Sequence, residues 1–210
     1  MHMLETKIHI IRHGETEWNS QQRWQGHTDI ELSQTGHLQA QKLLAKWSNK
    51  LSAVYSSDLS RAEQTAKYVA EAQGLPVVSE PGLREIYFGK WEGKTTTELR
   101  AEWGEILDVF FESPDRCHPP NGETFPQLYE RSVAVYKKIV SNHQGEEIAI
   151  FAHGGTIRML LCYILSLPIS QAWNLRQDNT CVNTAAHILT PSGKERIVLE
   201  RLNDVSHLLY

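Results

Sequence analysis

Ile8-His9-Ile10-Ile11-Arg12-His13-Gly14-Glu15-Thr16 is the stretch from which the fold can be predicted. Ile8, Ile10 and Ile11 lack the strict polar alternation of a half-exposed strand, and such a β-branched run is typical of a buried strand in an α/β sheet. Gly14 then allows a sharp turn, which leaves Arg12 and His13 at the carboxyl end of the strand. Open α/β sheets bind their ligands at that edge.

The same pattern recurs at Ile148-Ala149-Ile150-Phe151-Ala152-His153-Gly154-Gly155-Thr156. An apolar strand again ends in a histidine, and glycines lead into a turn and the start of a helix. Two histidines at strand ends, one with an arginine beside it, indicate a binding site for an anion. Arg61 is a second candidate for that site, because it follows shortly after another predicted strand at 53–57.

Strands and helices alternate along most of the chain, which predicts an α/β fold: a three-layer α/β/α sandwich with a mostly parallel central sheet. We expect one domain over residues 1–210, with an aromatic-rich lid insertion at about 84–123 that contains a helix over 97–111. The other expected elements are a polar loop over 18–29, a helix from Ser33 to about Ser48, a helix ended by Gly74, a short strand at 77–78, an amphipathic helix ended by Gly145, a helix to about Leu167, and a β-hairpin over 180–189 and 194–202 with its turn at Pro191-Ser192-Gly193.

The overall composition limits the classes of function. The chain has 210 residues, a formal net charge of −4 and a pI near 6.2, so no broad basic surface for nucleic acid is expected. Glu5 and Lys7 interrupt any early apolar run, and the apolar stretch 159–167 is too short to span a bilayer, so neither a signal peptide nor a membrane segment is expected. Three cysteines without a CxxC pair favour a reducing cytoplasm.

A metal site is the main rival to an anion site, since histidines are common metal ligands. Arg12 beside His13 would repel a cation, and no HxH or HxxxH pattern surrounds either strand-end histidine. We therefore expect no metal and no cofactor. Seven other histidines are interpreted as ordinary packed or surface residues: His2, His9, His27, His37, His118, His143 and His187.

Several motifs, in order along nearly the whole chain, resemble those of the histidine phosphatase superfamily, which has the phosphoglycerate mutase-like fold. They are Arg12-His13-Gly14-Glu15-Thr16-Glu17-Trp18-Asn19, Leu32-Ser33-Gln34-Thr35-Gly36, Tyr55-Ser56-Ser57-Asp58-Leu59-Ser60-Arg61-Ala62, Leu83-Arg84-Glu85 with Phe88-Gly89 and Trp91-Glu92-Gly93, and Ala152-His153-Gly154-Gly155. The resemblance is to the phosphatase branch, which includes broad-specificity, α-ribazole and metal-independent phosphoserine phosphatases.

This resemblance implies a role for each matching residue. His13 would be the nucleophile that forms a phosphohistidine, and Glu85 would be the general acid and base. The remaining catalytic residues would bind the phosphoryl oxygens: Arg12, Arg61 and His153. Further substrate-binding positions are Asn19, Gln25, Gly26, Phe88, the backbone of Gly154 and, in a C-terminal segment similar to that of phosphatase members, His207.

These roles are consistent with the chemistry of phosphoryl transfer. Attack on phosphorus needs a neutral imidazole, and the positive charge of Arg12 disfavours the protonated ring of His13. The transferred group needs charge stabilisation, which two arginines and a protonated His153 would supply. Glu85 must carry a proton to release an alkoxide, and can then activate a water.

Phosphatases and mutases of the family share these residues, so the insertion decides between them. The family's mutases have an arginine directly after the acid, a tyrosine three residues after it, and a pair of arginines in a longer insertion. Here the first two positions are Ile86 and Phe88, no Arg-Arg pair occurs over 84–120, and acids outnumber basic residues there by eight to five. A negatively charged lid binds a bisphosphate poorly, which favours a phosphatase.

We therefore predict a phosphoric monoester hydrolase that acts on a small phosphorylated metabolite in the cytoplasm, with no nucleic-acid or membrane partner. The alternatives are a cofactor-dependent phosphoglycerate mutase and a non-catalytic pseudophosphatase that binds phosphorylated ligands. The second is disfavoured because Arg12, His13, Arg61, Glu85 and His153 are all present. The identity of the phosphomonoester stays open, and a homodimer is possible.

Overall fold

A computed structural model describes residues 4–47, 50–190 and 192–209. Its strands are β1 (Leu4–Arg12), β2 (Ala53–Ser56), β3 (Val77–Ser79), β4 (Glu147–Ala152), β5 (Val182–Leu189) and β6 (Glu195–Asp204). Its α-helices are α1 (Glu17–Ser20), α2 (Gln34–Lys42), α3 (Ser60–Gln73), α4 (Thr96–Glu112), α5 (Phe125–Asn142) and α6 (Gly154–Leu165).

The six strands form one sheet in the order β3-β2-β4-β1-β5-β6. The first four are parallel, and β5 and β6 add an antiparallel edge. β1 and β4 are direct neighbours, with Arg12 opposite Ala152 in the register. The turns that follow these two strands therefore leave the sheet side by side.

Helices cover both faces of the sheet. Successive side chains of β1 point to opposite faces, so they pack against different helices. Ile8 and Ile10 are fully buried in the cluster that contains residues of α5 and α6. Ile11 is buried in a second cluster, with residues of β2 and α3. The predicted three-layer sandwich with a mostly parallel sheet is confirmed.

The turn after His13 is held against the start of α2. A Cβ on Gly14 would lie 2.6 Å from the carbonyl oxygen of Gly36, a separation that no side chain can occupy. The N–H of Gly14 donates to the hydroxyl of Thr65 in α3. This close approach fixes the path of the chain directly after the strand-end histidine.

Several element boundaries differ from the expectations. The four-residue helix α1 lies partly in the predicted polar loop, and its start is closed by a capping box between Thr16 and Asn19. The helix expected to reach Ser48 ends at Lys42, followed by a 3₁₀ turn. Ser48, Pro191 and His2 lie outside the described residues.

Two other helices also differ from their predicted form. α6 stops at Leu165, before the expected Leu167, because Ser166 adopts a left-handed conformation (φ 53°). α4 confirms the helix predicted in the insertion, with a bend at Trp103. Among the described helices, none has the length and apolar character needed to cross a bilayer. That residues 84–123 act as a lid stays a prediction.

Candidate active site

The carboxyl ends of β1 and β4 bring the two predicted histidines together. His13 directly follows β1 and His153 directly follows β4, and the centres of their rings are 5.2 Å apart. The N–H of His13 donates to the carbonyl of Ala152 across 3.1 Å, which continues the pairing of the two strands into the site. The juxtaposition follows from the parallel pairing of the strands that precede the histidines.

A cavity of about 280 Å³ opens at this edge of the sheet. Nine of the residues predicted to bind or react with substrate line it: Arg12, His13, Asn19, Gln25, Gly26, Arg61, Glu85, Phe88 and Gly154. His153 is fully buried directly behind them. Only His207 lies away from the cavity: its Nε2 pairs with the hydroxyl of Thr180 at 3.1 Å.

His13 presents a defined nitrogen to the cavity. Its Nδ1 donates to the carbonyl oxygen of Gly14 across 2.6 Å, and this bond assigns the proton to Nδ1. Burial lowers the pKa of His13 well below its ordinary value, and the charges of Arg61 and Arg12 lower it further. The ring is therefore neutral at physiological pH, with its lone pair on Nε2.

His153 is also neutral in this structure. Nε of Arg61 donates to its Nδ1, and its Nε2 donates to the hydroxyl of Ser57 at 2.9 Å. Burial, followed by the charge of Arg61, lowers the pKa of His153 well below its ordinary value. This arrangement disfavours the protonated His153 expected from the sequence, because a proton on Nδ1 would face the N–H of an arginine.

Arg12 and Arg61 supply the positive charge of the site. Arg12 donates from Nη1 to the carbonyl of Gln177, and its buried Nε has no partner. Arg61 is 1% exposed and donates to the carbonyls of Thr28 and Gly26, and burial lowers its pKa to about 10, so it stays charged at neutral pH. Neither guanidinium has a carboxylate within salt-bridge distance among the residues that the structure describes, so an anion would complete the site.

Two amide side chains lie near these cations. Asn19, which lines the cavity, accepts from the backbone N–H of Thr16 and from Nδ2 of Asn179 through its Oδ1, and its own NH₂ group has no partner in the described chain. Gln25 is buried, and its Oε1 has no hydrogen-bond partner. A half-turn of this amide would present its NH₂ group as a donor for an anion at the same place.

Glu85 is held at the start of α6. Its carboxylate accepts from the backbone N–H groups of Gly155 at 3.0 Å, Thr156 at 3.2 Å and Ile86 at 3.0 Å. The N-terminus of a helix is a favourable place for a carboxylate, since unpaired N–H groups and the helix dipole both point to it. Through these bonds the helix that begins after His153 also orients the predicted acid.

The backbone that carries Glu85 has no regular secondary structure and is held from outside. Arg131 of α5 donates to the carbonyls of Gly82, Arg84 and Glu85, and makes a bidentate pair with Glu123. His27, interpreted from the sequence as an ordinary histidine, donates from Nε2 to the carbonyl of Glu85 at 2.8 Å. These contacts were not predicted, because nothing in the local sequence of α5 points towards residue 85.

Aromatic rings form the far wall of the cavity. Trp24 packs edge-on against Phe88 and Phe110, both with ring centres 4.8 Å away, and Phe110 packs against Trp173 at 5.0 Å. Phe88 is therefore both a core residue and a wall residue, as an aromatic lid would require. The participation of Trp24 and Trp173 was not predicted, since they lie outside the insertion.

Arg158 is a third arginine that lines this cavity. Like Arg12 and Arg61, it has no carboxylate within salt-bridge distance in the described chain. Its guanidinium lies over the ring of Trp173, 5.1 Å from the centre. The signal that could have identified it is a single cation in an otherwise apolar helix, between Ile157 and Met159.

No group of three or more potential metal ligands occurs among the described residues.

The comparisons with known proteins agree with this geometry. Residues 8–205 match the family model described as histidine phosphatase superfamily (branch 1). Over 206 residues the chain is 34% identical to phosphoglycerate mutase-like protein 4 of Arabidopsis thaliana, covering 96% of this chain and 86% of that protein. It is 30% identical to phosphoserine phosphatase 1 of Hydrogenobacter thermophilus, covering 96% and 94%.

A solved phosphoserine phosphatase from Entamoeba histolytica, a mutant with phosphoserine bound, superposes with a TM-score of 0.84 at 29% identity, covering 97% of this chain and 99% of that one. The prediction of a phosphoric monoester hydrolase is confirmed at the level of reaction class. With a family match over nearly the whole chain, and with two strand-end histidines and two arginines at one cavity, the chain belongs to branch 1 of the histidine phosphatase superfamily.

Proposed function

We propose that the protein hydrolyses small phosphomonoesters without a metal ion, through a phosphohistidine on Nε2 of His13 and with Glu85 as general acid and base. The observation that carries this proposal is the neutral His13, whose Nε2 lone pair is free beside two guanidinium groups that lack a carboxylate partner in the described chain. A neutral nucleophile can attack an anionic phosphoryl group, and the two guanidinium groups of Arg12 and Arg61, called the cationic cradle below, can bind its oxygens.

The reaction takes two steps. In the first, Nε2 attacks phosphorus, the bond from phosphorus to the ester oxygen breaks, and Glu85 gives its proton to that oxygen so that an alcohol leaves. In the second, Glu85 takes a proton from a water whose oxygen attacks phosphorus, the P–N bond breaks, and inorganic phosphate leaves. Arg12 and Arg61 stabilise the phosphoryl oxygens in both steps.

The charges of the site support a reaction without a metal. The space between His13 and the cavity wall is bounded by Arg12 and Arg61, whose positive charges already do what a divalent ion would do for the phosphoryl oxygens. Glu85, the acidic side chain that lines the cavity, is engaged by three backbone N–H groups. The positive charges and hydrogen-bond donors of the site therefore suit an anion.

The lid supports hydrolysis over mutase chemistry. Three of its basic residues are paired with acids: Arg84 with Asp58, Lys94 with Glu102 and Arg100 with Asp108. The position where the mutases carry tyrosine is Phe88, which is packed into the aromatic wall. A lid with neutralised cations offers little charge to retain a bisphosphate.

The test is a labelling experiment combined with an activity panel. The wild type, dialysed against a chelator, should release phosphate from phosphomonoesters and retain an acid-labile, base-stable phosphoryl label, and His13→Ala should lose both. His9→Gln is the matched control, because His9 is a buried histidine of β1, the strand that precedes His13, and does not line the cavity. Isomerisation of 3-phosphoglycerate faster than hydrolysis would establish the mutase instead, and binding without label or turnover would establish the pseudophosphatase.

The proposed substrate is a small phosphorylated metabolite, with neither nucleic acid nor membrane as a partner. A cytoplasmic location and a homodimer stay predictions. The three cysteines that suggested a reducing compartment, Cys117, Cys162 and Cys181, are free and buried.

A further inference from the structure

We propose that the outer edge of β6 pairs with β6 of a second copy of this chain, antiparallel and about a two-fold axis at Val198. The pairing would join two six-stranded sheets into one continuous sheet. None of residues 195–204 lines the cavity, so this interaction surface is separate from the active site and does not depend on the proposed reaction.

The two edges of the sheet differ in length. The edge strand β3 has three residues, whereas β6, at the other edge, has ten. In the part of the chain that the structure describes, no backbone group outside β5 forms a hydrogen bond with the backbone of β6. A long strand with an unpaired edge is a template for another strand, and this template is offered by β6 and not by β3.

The hairpin turn before β6 determines which of its backbone groups point outward. The N–H of Thr190 donates to the carbonyl of Lys194 at 2.9 Å, so these two residues form a hydrogen-bonded pair. Hydrogen-bonded and non-hydrogen-bonded pairs alternate along an antiparallel ladder. Every second residue from Lys194 therefore bonds to β5, and the residues between them, among them Ile197 and Leu199, direct their N–H and C=O groups outward.

A second β6 centred on Val198 matches this pattern. Ile197 of one copy lies opposite Leu199 of the other, and each such pair exchanges two backbone hydrogen bonds, about four in total. Val198 lies opposite its own copy in a non-hydrogen-bonded pair, the kind in which side chains approach most closely. All three residues are only half-buried in the single chain, so the pairing removes further apolar surface from water.

The charges on either side of Val198 are complementary in the same alignment. Arg196 of each copy lies opposite Glu200 of the other, because each is two residues from the axis. Arg196 is exposed and has no carboxylate within salt-bridge distance in the described chain, and Glu200 is exposed and pairs with Lys7 at 3.4 Å. Opposite charges directly across a ladder stabilise it, and two such pairs result from the symmetry.

The charges also disfavour a slipped alignment. A shift by one residue would place Arg196 opposite Arg201 in one direction, and Glu195 opposite Glu200 in the other. Like charges opposite each other destabilise a ladder, and the same shift would move the outward N–H and C=O groups out of register. The strand therefore favours the alignment centred on Val198 over its neighbours.

This pairing leaves both cavities open. β6 runs parallel to β1, because each is antiparallel to β5. The two-fold axis reverses the strand direction between the copies, so the carboxyl ends of β1 and β4, where the cavity lies, face opposite ends of the joined sheet. The monomer and the dimer are therefore expected to have the same active site.

The experiment measures sedimentation equilibrium of the wild type and of charge-reversal variants, with thermal unfolding as a check of the fold. The wild type should dimerise. Arg196→Glu and Glu200→Arg each place like charges opposite at both symmetry-related positions, and each should raise the dissociation constant of the dimer about tenfold or more. Arg116→Glu is the matched control, because Arg116 is also exposed and without an ion pair in the described chain but lies in the turn after α4. It should change the constant by less than about twofold.

The decisive sample is an equimolar mixture of the Arg196→Glu chain and the Glu200→Arg chain. Each chain then meets opposite charges at both flanking positions, so the mixture should dimerise about as tightly as the wild type, and the double variant should also recover. A defect in the fold of either chain cannot produce this rescue.

Three outcomes would overturn the pairing. The first is a wild type that stays monomeric at about 0.5 mM, which would leave the edge unpaired. The second is a dimer that neither charge reversal weakens, which would place the interface elsewhere on the surface. The third is a mixture that fails to associate although both chains are folded, which would assign the effect of each variant to its net charge. Because none of these measurements uses catalysis, failure of the proposed function would be seen separately.

Discussion

Nε of Arg61 lies 3.2 Å from Nδ1 of His153 and donates a hydrogen bond to it. This bond requires a lone pair on Nδ1, and therefore a neutral ring with its proton on Nε2, directed to Ser57. Arg61 thus does two things at once: it lines the phosphoryl cavity, and it excludes a proton from the histidine behind it. In the proposed reaction, the charge that stabilises the phosphoryl group would come from guanidinium groups.

The first prediction concerns the loss of folding stability at acidic pH. The pKa of His153 is lowered in the folded protein, so the unfolded chain binds the extra proton first as the pH falls below about 6.5. Stability is then lost as the pH decreases, by up to about 1.4 kcal/mol per pH unit for each such histidine. Urea unfolding at pH 7.0 and 5.5 should show a loss that is smaller by about 1 kcal/mol in His153→Gln than in the wild type. The same loss in both proteins would contradict a neutral His153.

The second prediction concerns the acid. Glu85→Gln keeps the size and shape of the side chain but has no proton to give to the leaving oxygen, and its amide NH₂ replaces one of the two oxygens that accept from backbone N–H groups. We expect about a 100-fold loss of kcat for alkyl phosphates and less than about tenfold for p-nitrophenyl phosphate, whose leaving group needs no proton. Steady-state rates on the two substrates measure the difference. Similar losses on both would remove Glu85 from the acid role.

The third prediction concerns Arg131, a positioning residue for the backbone that carries Glu85. Arg131→Gln removes the donors to the carbonyls of Arg84 and Glu85 and leaves Glu123 without its cation. We expect kcat for alkyl phosphates to fall about tenfold with KM nearly constant, and a steeper dependence on leaving-group pKa, since the acid is misplaced and the phosphoryl cradle is not.

Arg100→Gln is the matched control, because Arg100 also pairs with an acid but on the exposed surface of α4. It should leave both kinetic constants near those of the wild type. A uniform drop in stability and activity, without any change in leaving-group dependence, would make Arg131 a residue of the fold alone.

The fourth prediction compares two glycines with positive φ. Gly26 (φ 55°) lies against the carboxylate of Glu92, and its carbonyl accepts from Nη2 of Arg61. Gly74 (φ 66°) ends α3, and no other part of the described chain lies within 4 Å of the place that a methyl group would take there. Alanine at 74 should cost only backbone strain, about 1 kcal/mol, whereas alanine at 26 should cost about 2–3 kcal/mol and weaken inhibition by phosphate. Equal effects in thermal unfolding and phosphate inhibition would refute the link between Gly26 and Arg61.

The sequence predicts the reacting core because strand ends are local features. An apolar run, a polar residue and a glycine mark the ends of β1 and β4, and parallel pairing then brings His13 and His153 together. The layers of the fold follow from the same alternation of strands and helices.

What the sequence does not reveal depends on long-range contacts. Arg158 lies within an apolar helix, and only the position of Trp173 shows that its guanidinium faces the cavity. The neutral state of His153 depends on Arg61, which is 92 residues away in the chain. His207, expected to bind substrate, pairs instead with Thr180. It lies away from the cavity because β6 continues to Asp204 before the chain turns.

The aromatic wall and the cationic cradle come from different parts of the chain. The cradle is made by residues at the ends of β1 and β4 and at the start of α3, which the sheet holds in place, whereas much of the wall comes from Phe88, Phe110 and Trp173. Substitutions in that wall can alter which alcohol is accepted while the chemistry of phosphate release is retained. New substrate preferences can therefore evolve on this scaffold through changes in a few rings, without a passage through inactive ancestors.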